Sequence, residues 1–125
     1  MSHDVDVRVN SKAWLEVAGK PVLGKGLYRL LAELSETRNL TDAAARLKYS
    51  YKYAWNLLRR LKLRTGLPAV KTEKGGKGGG GKVTLTEWGA GLLKAFEDLE
   101  RAREVFLVEQ QERLDQFLKN LKTNA

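Results

Sequence analysis

The 125-residue chain has no cysteine and a single histidine, His3. Without a thiol there can be no disulfide framework and no thiolate metal site, and the composition suits a reducing compartment. His3 stands beside an N-terminal Met-Ser in a segment expected to fray, so it is read as a bystander rather than a ligand or base. Neither a Ser/His/acid nor a Cys/His nucleophilic set can be assembled, and neither catalysis nor a cofactor is expected. No apolar run approaches the roughly 18 residues of a membrane span, and the N-terminus lacks the basic-then-apolar order of a signal peptide. A cytoplasmic protein is expected. Apolar residues make up 42% of the chain, enough for the core of one compact domain with an appendage.

Acidic residues are scarce in one place. Between Arg46 and Lys82 lie eleven of the 23 basic residues but only one of the 15 acids, Glu73, so a local excess of +10 is set against −2 for the remainder. Charge focused in this way accumulates a protein beside a polyanion, because each cation that meets a phosphate releases condensed counterions. Nucleic acid is the first partner to consider, with a solvated basic face as the bland alternative.

The pattern around the charges sharpens this. Val5, Val7 and Val9 alternate with polar residues and predict a strand, and Ala13 to Ala18 predicts a second one closed by Gly19-Lys20-Pro21, together an N-terminal hairpin. From Gly26 to Glu36, Leu27, Leu30, Leu31 and Leu34 recur at helical spacing. Thr41 is read as the cap of a short helix containing Ala43, Ala44 and Ala45, and Ser50 as the cap of the next, Tyr51 to about Thr65, which Gly66 and Pro68 end. Two helices joined by a turn at Lys48 and Tyr49 make a helix-turn-helix, whose second helix is offered to the major groove of DNA.

On that second helix Ala54, Leu57, Leu58 and Leu61 form an apolar stripe, and Lys52, Asn56 and Arg59 stand opposite. Asn can pair bidentately with adenine, and Arg or Lys with guanine, so these three are candidate base readers. Ser50 can cap the helix and touch a phosphate or base. Tyr51, Tyr53 and Trp55 lie between the two faces, where packing at the core or its rim is favoured over base contact.

Ala69 to Thr72 and Val83 to Leu85 predict two short strands around a glycine-lysine loop, a wing. Six of the seven residues from Gly75 to Gly81 are glycine, which lets the backbone approach DNA closely; without a partner such a tract behaves as a flexible coil. Arg60, Arg64, Lys74, Lys77 and Lys82 are candidate phosphate contacts. Gly76, Gly81 and Lys82 also fit three positions of a nucleotide-binding G-x-x-x-x-G-K-[ST] loop, but Val83 replaces the required hydroxyl and a strand follows where a helix must.

Thr86 is read as the cap of a last helix reaching Leu121, about 36 residues or roughly 54 Å. Its apolar stripe continues past Phe106 with no intrachain element evident to cover it, so a second copy is expected there. Arg103, Gln110 and Arg113 interrupt any strict heptad.

The runs Leu40-Thr41-Asp42-Ala43-Ala44, Ser50-Tyr51-Lys52-Tyr53-Ala54-Trp55 and Gly75-Gly76-Lys77-Gly78-Gly79-Gly80-Gly81, with Leu85-Thr86 and Gly89, resemble the DNA-binding domain of the molybdate-responsive ModE regulators, a winged-helix group related to the LysR-type domain. The similarity spans roughly residues 22 to 100. It implies a homodimeric regulator with binding roles for Ser50, Tyr51, Lys52 and the loop Gly75 to Gly81. Lys48 replaces the family's usual turn glycine, and one residue is added between Gly81 and Leu85. The oxyanion-binding domain of the longer members is not evident and no molybdate site is transferred; no small-molecule effector is evident, and whether one is sensed is left open.

The resulting expectation is a mainly α, small-β winged helix-turn-helix over residues 1–85 and a dimerisation helix over 86–125. The function expected is sequence-specific regulation of transcription by a nucleoid-associated homodimer. The alternatives are an architectural protein that coats DNA with little sequence preference, and a winged helix recruited for protein contacts.

Overall fold

The computed structural model of the chain describes residues 5–73 and 81–124, which leaves His3 outside. The chain forms two compact units, Trp14–Glu97 and a second one built from the two chain ends.

In the first unit the order is β1 (Leu15–Val17), β2 (Lys20–Leu23), α1 (Lys25–Thr37), α2 (Leu40–Leu47), α3 (Tyr51–Thr65), β3 (Val70–Glu73), β4 (Lys82–Leu85) and the start of α4 (Glu87–Asn124). The three helices, the antiparallel pair that follows them and the closing helix make a mainly α winged helix-turn-helix with a second small hairpin in front.

That front hairpin differs from the expected one. β1 pairs antiparallel with β2, bringing Val17 opposite Lys20 and Leu15 opposite Leu23. The connection is the two residues Ala18 and Gly19, both at positive φ, the geometry that matches the twist of paired strands. The segment with Val5, Val7 and Val9 belongs to no strand.

α1 buries Leu27, Leu30, Leu31 and Leu34, and Arg38 ends it in the left-handed conformation with its N–H bonded to the Leu34 carbonyl. α2 starts earlier than Thr41 suggested. Asn39 is the cap, its side-chain oxygen accepting from the Asp42 N–H at 2.9 Å. Asn is the better capping residue, and a start at Leu40 lets that leucine bury. Lys48 adopts φ 59, a conformation glycine takes at lower cost, and Tyr49 N–H then bonds back to the Ala44 carbonyl. α3 buries Ala54, Leu58 and Leu61, leaves Leu57 half-buried, and ends at Gly66 with φ 77. Phe96 of α4 completes the core, its ring 4.9 Å from that of Tyr28.

The wing strands pair from Val70 opposite Leu85 to Glu73 opposite Lys82. They are fixed at two places. Val83 is buried, and its N–H bonds to the Arg38 carbonyl at 2.9 Å, which ties β4 to the end of α1. Thr86, the predicted cap of α4, accepts from the Gly89 N–H at 3.0 Å, donates to the Pro68 carbonyl at 2.8 Å, and bonds through its own N–H to the Ala69 carbonyl. Gly89 sits so close to this joint that a Cβ there would come within 2.0 Å of the Ala69 carbonyl oxygen.

In the second unit α4 continues to Asn124, and its length of 38 residues corresponds to about 57 Å. Contrary to expectation, an intrachain segment does lie on it. Val9 N–H donates to Gln111 Oε1 at 2.8 Å, and Gln111 Nε2 donates to the Val7 carbonyl at 2.9 Å. Arg103, held by Glu100 at 2.6 Å, donates to the Ser11 carbonyl at 2.9 Å. A glutamine side chain thus supplies the donor and acceptor that a neighbouring strand would have offered. No helix among the described residues is long and apolar enough to cross a membrane, and none of their acidic or histidine side chains cluster to hold a metal.

Gly89→Ala should lower unfolding stability by on the order of 3 kcal/mol, because the clash is with backbone that cannot rotate away. A denaturant midpoint equal to that of the parent would refute the close approach.

Candidate nucleic-acid interface

Burial of Ala54, Leu58 and Leu61 fixes the rotation of α3, so the opposite stripe faces outward. Lys52 and Arg59 are exposed and Asn56 is half-buried. Among the described residues no side-chain hydrogen bond or ion pair engages any of the three. The predicted readers therefore share one outward line.

At the N-terminal end, Ser50 Oγ accepts from the Tyr53 N–H at 3.0 Å and caps the helix as predicted. Tyr49 anchors the turn, its hydroxyl donating to the Gly26 carbonyl at 3.0 Å. Burial, and secondarily the neighbouring Tyr53, push the Tyr49 phenol above its ordinary value, with Arg29 opposing. The hydroxyl stays protonated and able to donate. The aromatics lie further out than core packing would put them: Tyr51 is 57% exposed and Trp55 43%, while Tyr53 meets Tyr49 edge-on at 4.9 Å.

The two flanks of the stripe differ. Towards β2 and the start of α1 stand Tyr53, Arg60 and Arg64. Arg64 Nη1 donates to the Pro21 carbonyl, which ties the front hairpin to α3, so part of its guanidinium is already engaged. Arg60 is exposed and carries no such bond among the described residues. Towards β3 stand Trp55, Arg59 and Lys62, facing Lys71 across a cleft. Lys62 and Lys71 were not among the predicted site residues. The i, i+4 and i, i+7 spacing of Trp55, Arg59 and Lys62 could have marked the helix side of the cleft, but nothing in the sequence gives the distance to Lys71.

Of the wing, Lys82 is exposed on β4 and Gly81 half-buried beside it. Lys74, Gly75, Gly76, Lys77, Gly78, Gly79 and Gly80 lie outside the described residues. Arg46, counted in the basic segment, is paired with Glu33 at 3.2 Å and Glu36 at 3.4 Å, on the side where α2 meets α1.

The sequence matches no family model. It is 37% identical over 76 residues to the transcriptional regulator ModE of Haemophilus influenzae, a stretch of 61% of this chain and 29% of that protein. It is 34% identical over 88 residues to the molybdenum-pterin-binding protein MopA of Rhodobacter capsulatus, covering 70% of this chain and 33% of that one. The chain carries a ModE-like winged-helix domain. It spans about a third of the length of these curated relatives. Two solved structures share the fold: oxidised OxyR of Corynebacterium glutamicum, with TM-score 0.50, 24% identity, 68% of this chain and 26% of that one; and MepR of S. aureus in a DNA complex, with TM-score 0.53, 22% identity, 81% and 75%. In this ModE-like domain the turn position taken by Lys48 has the left-handed geometry, which a lysine adopts at a higher local cost than glycine.

Ser50→Ala should cost about 1 kcal/mol of stability while Ser50→Asp, which also caps, retains it. Thermal or denaturant unfolding of both variants checks this, and an equal loss in both would exclude the capping role.

Proposed function

We propose that the protein is a sequence-specific regulator of transcription that binds double-stranded DNA as a homodimer. The observation that carries this reading is the outward stripe of Lys52, Asn56 and Arg59, unpaired among the described residues, on a helix whose other face lies in the core. An amide flanked by two cations suits base edges in the major groove, adenine for Asn56 and guanine for Lys52 and Arg59. Ser50 and Tyr51, at the helix N-terminus, would approach the bases first. Arg60, the unengaged part of Arg64, Lys82, and the loop with Lys74, Gly75 to Gly81 and Lys77 are proposed to meet the phosphates. The names of the curated relatives, a transcriptional regulator among them, support the reading. No effector or cofactor is proposed, and the working place is the nucleoid in the cytoplasm.

Residues 1–85 are the proposed DNA-binding part and residues 86–125 the pairing part. Support for pairing comes from Phe106 and Phe117 of α4, which remain 49% and 59% exposed even with the N-terminal segment on the same helix. Large apolar side chains aligned on one helix face and left in water mark an association surface.

Fragments selected from random duplexes should converge on a palindrome, bound about a thousandfold tighter than random DNA. Uniform affinity and equal salt slopes would instead favour a coating role. Asn56→Ala should weaken the selected site by about 1–3 kcal/mol and leave random DNA nearly unaffected. Equal loss on both would exclude Asn56 as a reader. Sedimentation at micromolar concentration should give twice the 14.0 kDa chain mass, reduced to one chain by Phe117→Glu. A monomeric parent protein would end the pairing proposal.

A further inference from the structure

The cleft between α3 and β3 has a volume of about 410 Å³ and is lined by Trp55, Leu58, Arg59, Lys62, Val70 and Lys71 among others, with no carboxylate in its wall. Its chemistry is divided. Leu58 and Ala69 are buried and give an apolar floor, while Arg59, Lys62 and Lys71 stand exposed at the rim and make no ion pair with any described residue. Three like charges around one opening repel one another unless an anion enters. Trp55, 43% exposed, adds a broad apolar wall next to those cations.

This combination suits a particular occupant. A nucleic-acid strand alternates an anionic phosphate with a largely apolar deoxyribose, so a cationic rim above an apolar wall matches it unit by unit. A base edge would ask for directed donors and acceptors in the floor, which Leu58, Ala69 and Val70 cannot provide. We propose that this cleft seats one sugar-phosphate backbone of the DNA duplex, with phosphates held by Arg59, Lys62 and Lys71 and a deoxyribose against Trp55. The inference rests on the DNA-binding reading above and adds a backbone seat on the wing side of the recognition helix. Because the contact is to backbone, its contribution is independent of base sequence. Arg59, at the edge of both the outward stripe and the cleft, then joins base reading to backbone holding.

Binding of the full chain to a labelled random-sequence duplex, followed by anisotropy across a salt series, tests the seat. Lys62→Gln with Lys71→Gln should make the slope of log K against log salt shallower by about two, the same on every duplex. Lys12→Gln with Lys20→Gln, the same change in charge outside the cleft, should leave the slope as it is. Equal slopes for the two double variants would overturn the seat while leaving DNA binding intact. Absence of any binding by the parent protein would instead remove the DNA reading and the seat with it. A protein with Trp14→Phe and Trp88→Phe, in which Trp55 is the remaining tryptophan, should change its tryptophan fluorescence, excited beyond the tyrosine band, when saturated with duplex. Unchanged emission with binding retained would also overturn the proposal.

Discussion

Ala54, Leu58 and Leu61 give up nearly all their exposure in the core, and this burial governs what the rest of the domain can present. Fully burying a leucine is worth about 1.5–3 kcal/mol, whereas an exposed Lys or Arg gains little from any one rotation of its helix. Turning α3 by one residue, 100°, would lift Leu58 into water and drive a guanidinium or ammonium toward apolar neighbours without a counter-charge. The outward direction of Lys52, Asn56 and Arg59 therefore follows from the leucines. Core and candidate interface are the two sides of one constraint.

The fold also sorts the cations, which a net charge cannot do. Arg46 is held by Glu33 and Glu36, and Arg64 ties the front hairpin to α3, so these two contribute to the architecture. Lys52, Arg59, Arg60, Lys62 and Lys71 are left facing solvent on α3 and the adjoining strand. The joint of Thr86 and Gly89 against Pro68 and Ala69 sets where β3 begins, and hence where Lys71 stands relative to Lys62. A glycine that lines no part of the cleft thus helps to fix where its β3 wall begins.

Much of this was legible because it is local. Leucine spacing gave α1 and α3, Ser50 and Thr86 announced their helices, and alternating short runs around glycines gave the wing. Misreadings arose where two local signals competed or where the partner was remote. Asn39 and Thr41 both can cap, and only the burial of Leu40 decides between them. The alternation of Val5, Val7 and Val9 encodes an extended chain without saying what will bond to it, and the partner turned out to be the side chain of Gln111, 104 residues beyond Val7. The hairpin instead used Ala18-Gly19, a turn whose positive φ at alanine is invisible to a search for Gly and Pro. Lys62 and Lys71 were passed over because their relation exists only once α3 and β3 have been brought side by side.

The correction to α4 bears on the proposed dimer in a definite way. At 100° per residue, Arg103, Leu107, Gln111, Leu114 and Leu118 fall within about 40° of one line, and Arg103 and Gln111 are the residues that bind the N-terminal segment. Phe106 and Phe117 project roughly 80–100° to one side of that line, whereas Leu121 falls within the same 40° of it as Arg103, in one cavity wall with Val5 and Val7 of the segment. A helix has room for both neighbours at such a separation, as a three-helix contact does. The segment that covers the first stripe hence does not compete for the second, and its polar clamps, unlike apolar packing, hold it by directed bonds that leave the phenylalanines in water. Covering one side of α4 in this way leaves Phe106 and Phe117 together in water on another, the face proposed for a second copy, while Val105 and Val108 stand exposed apart from them.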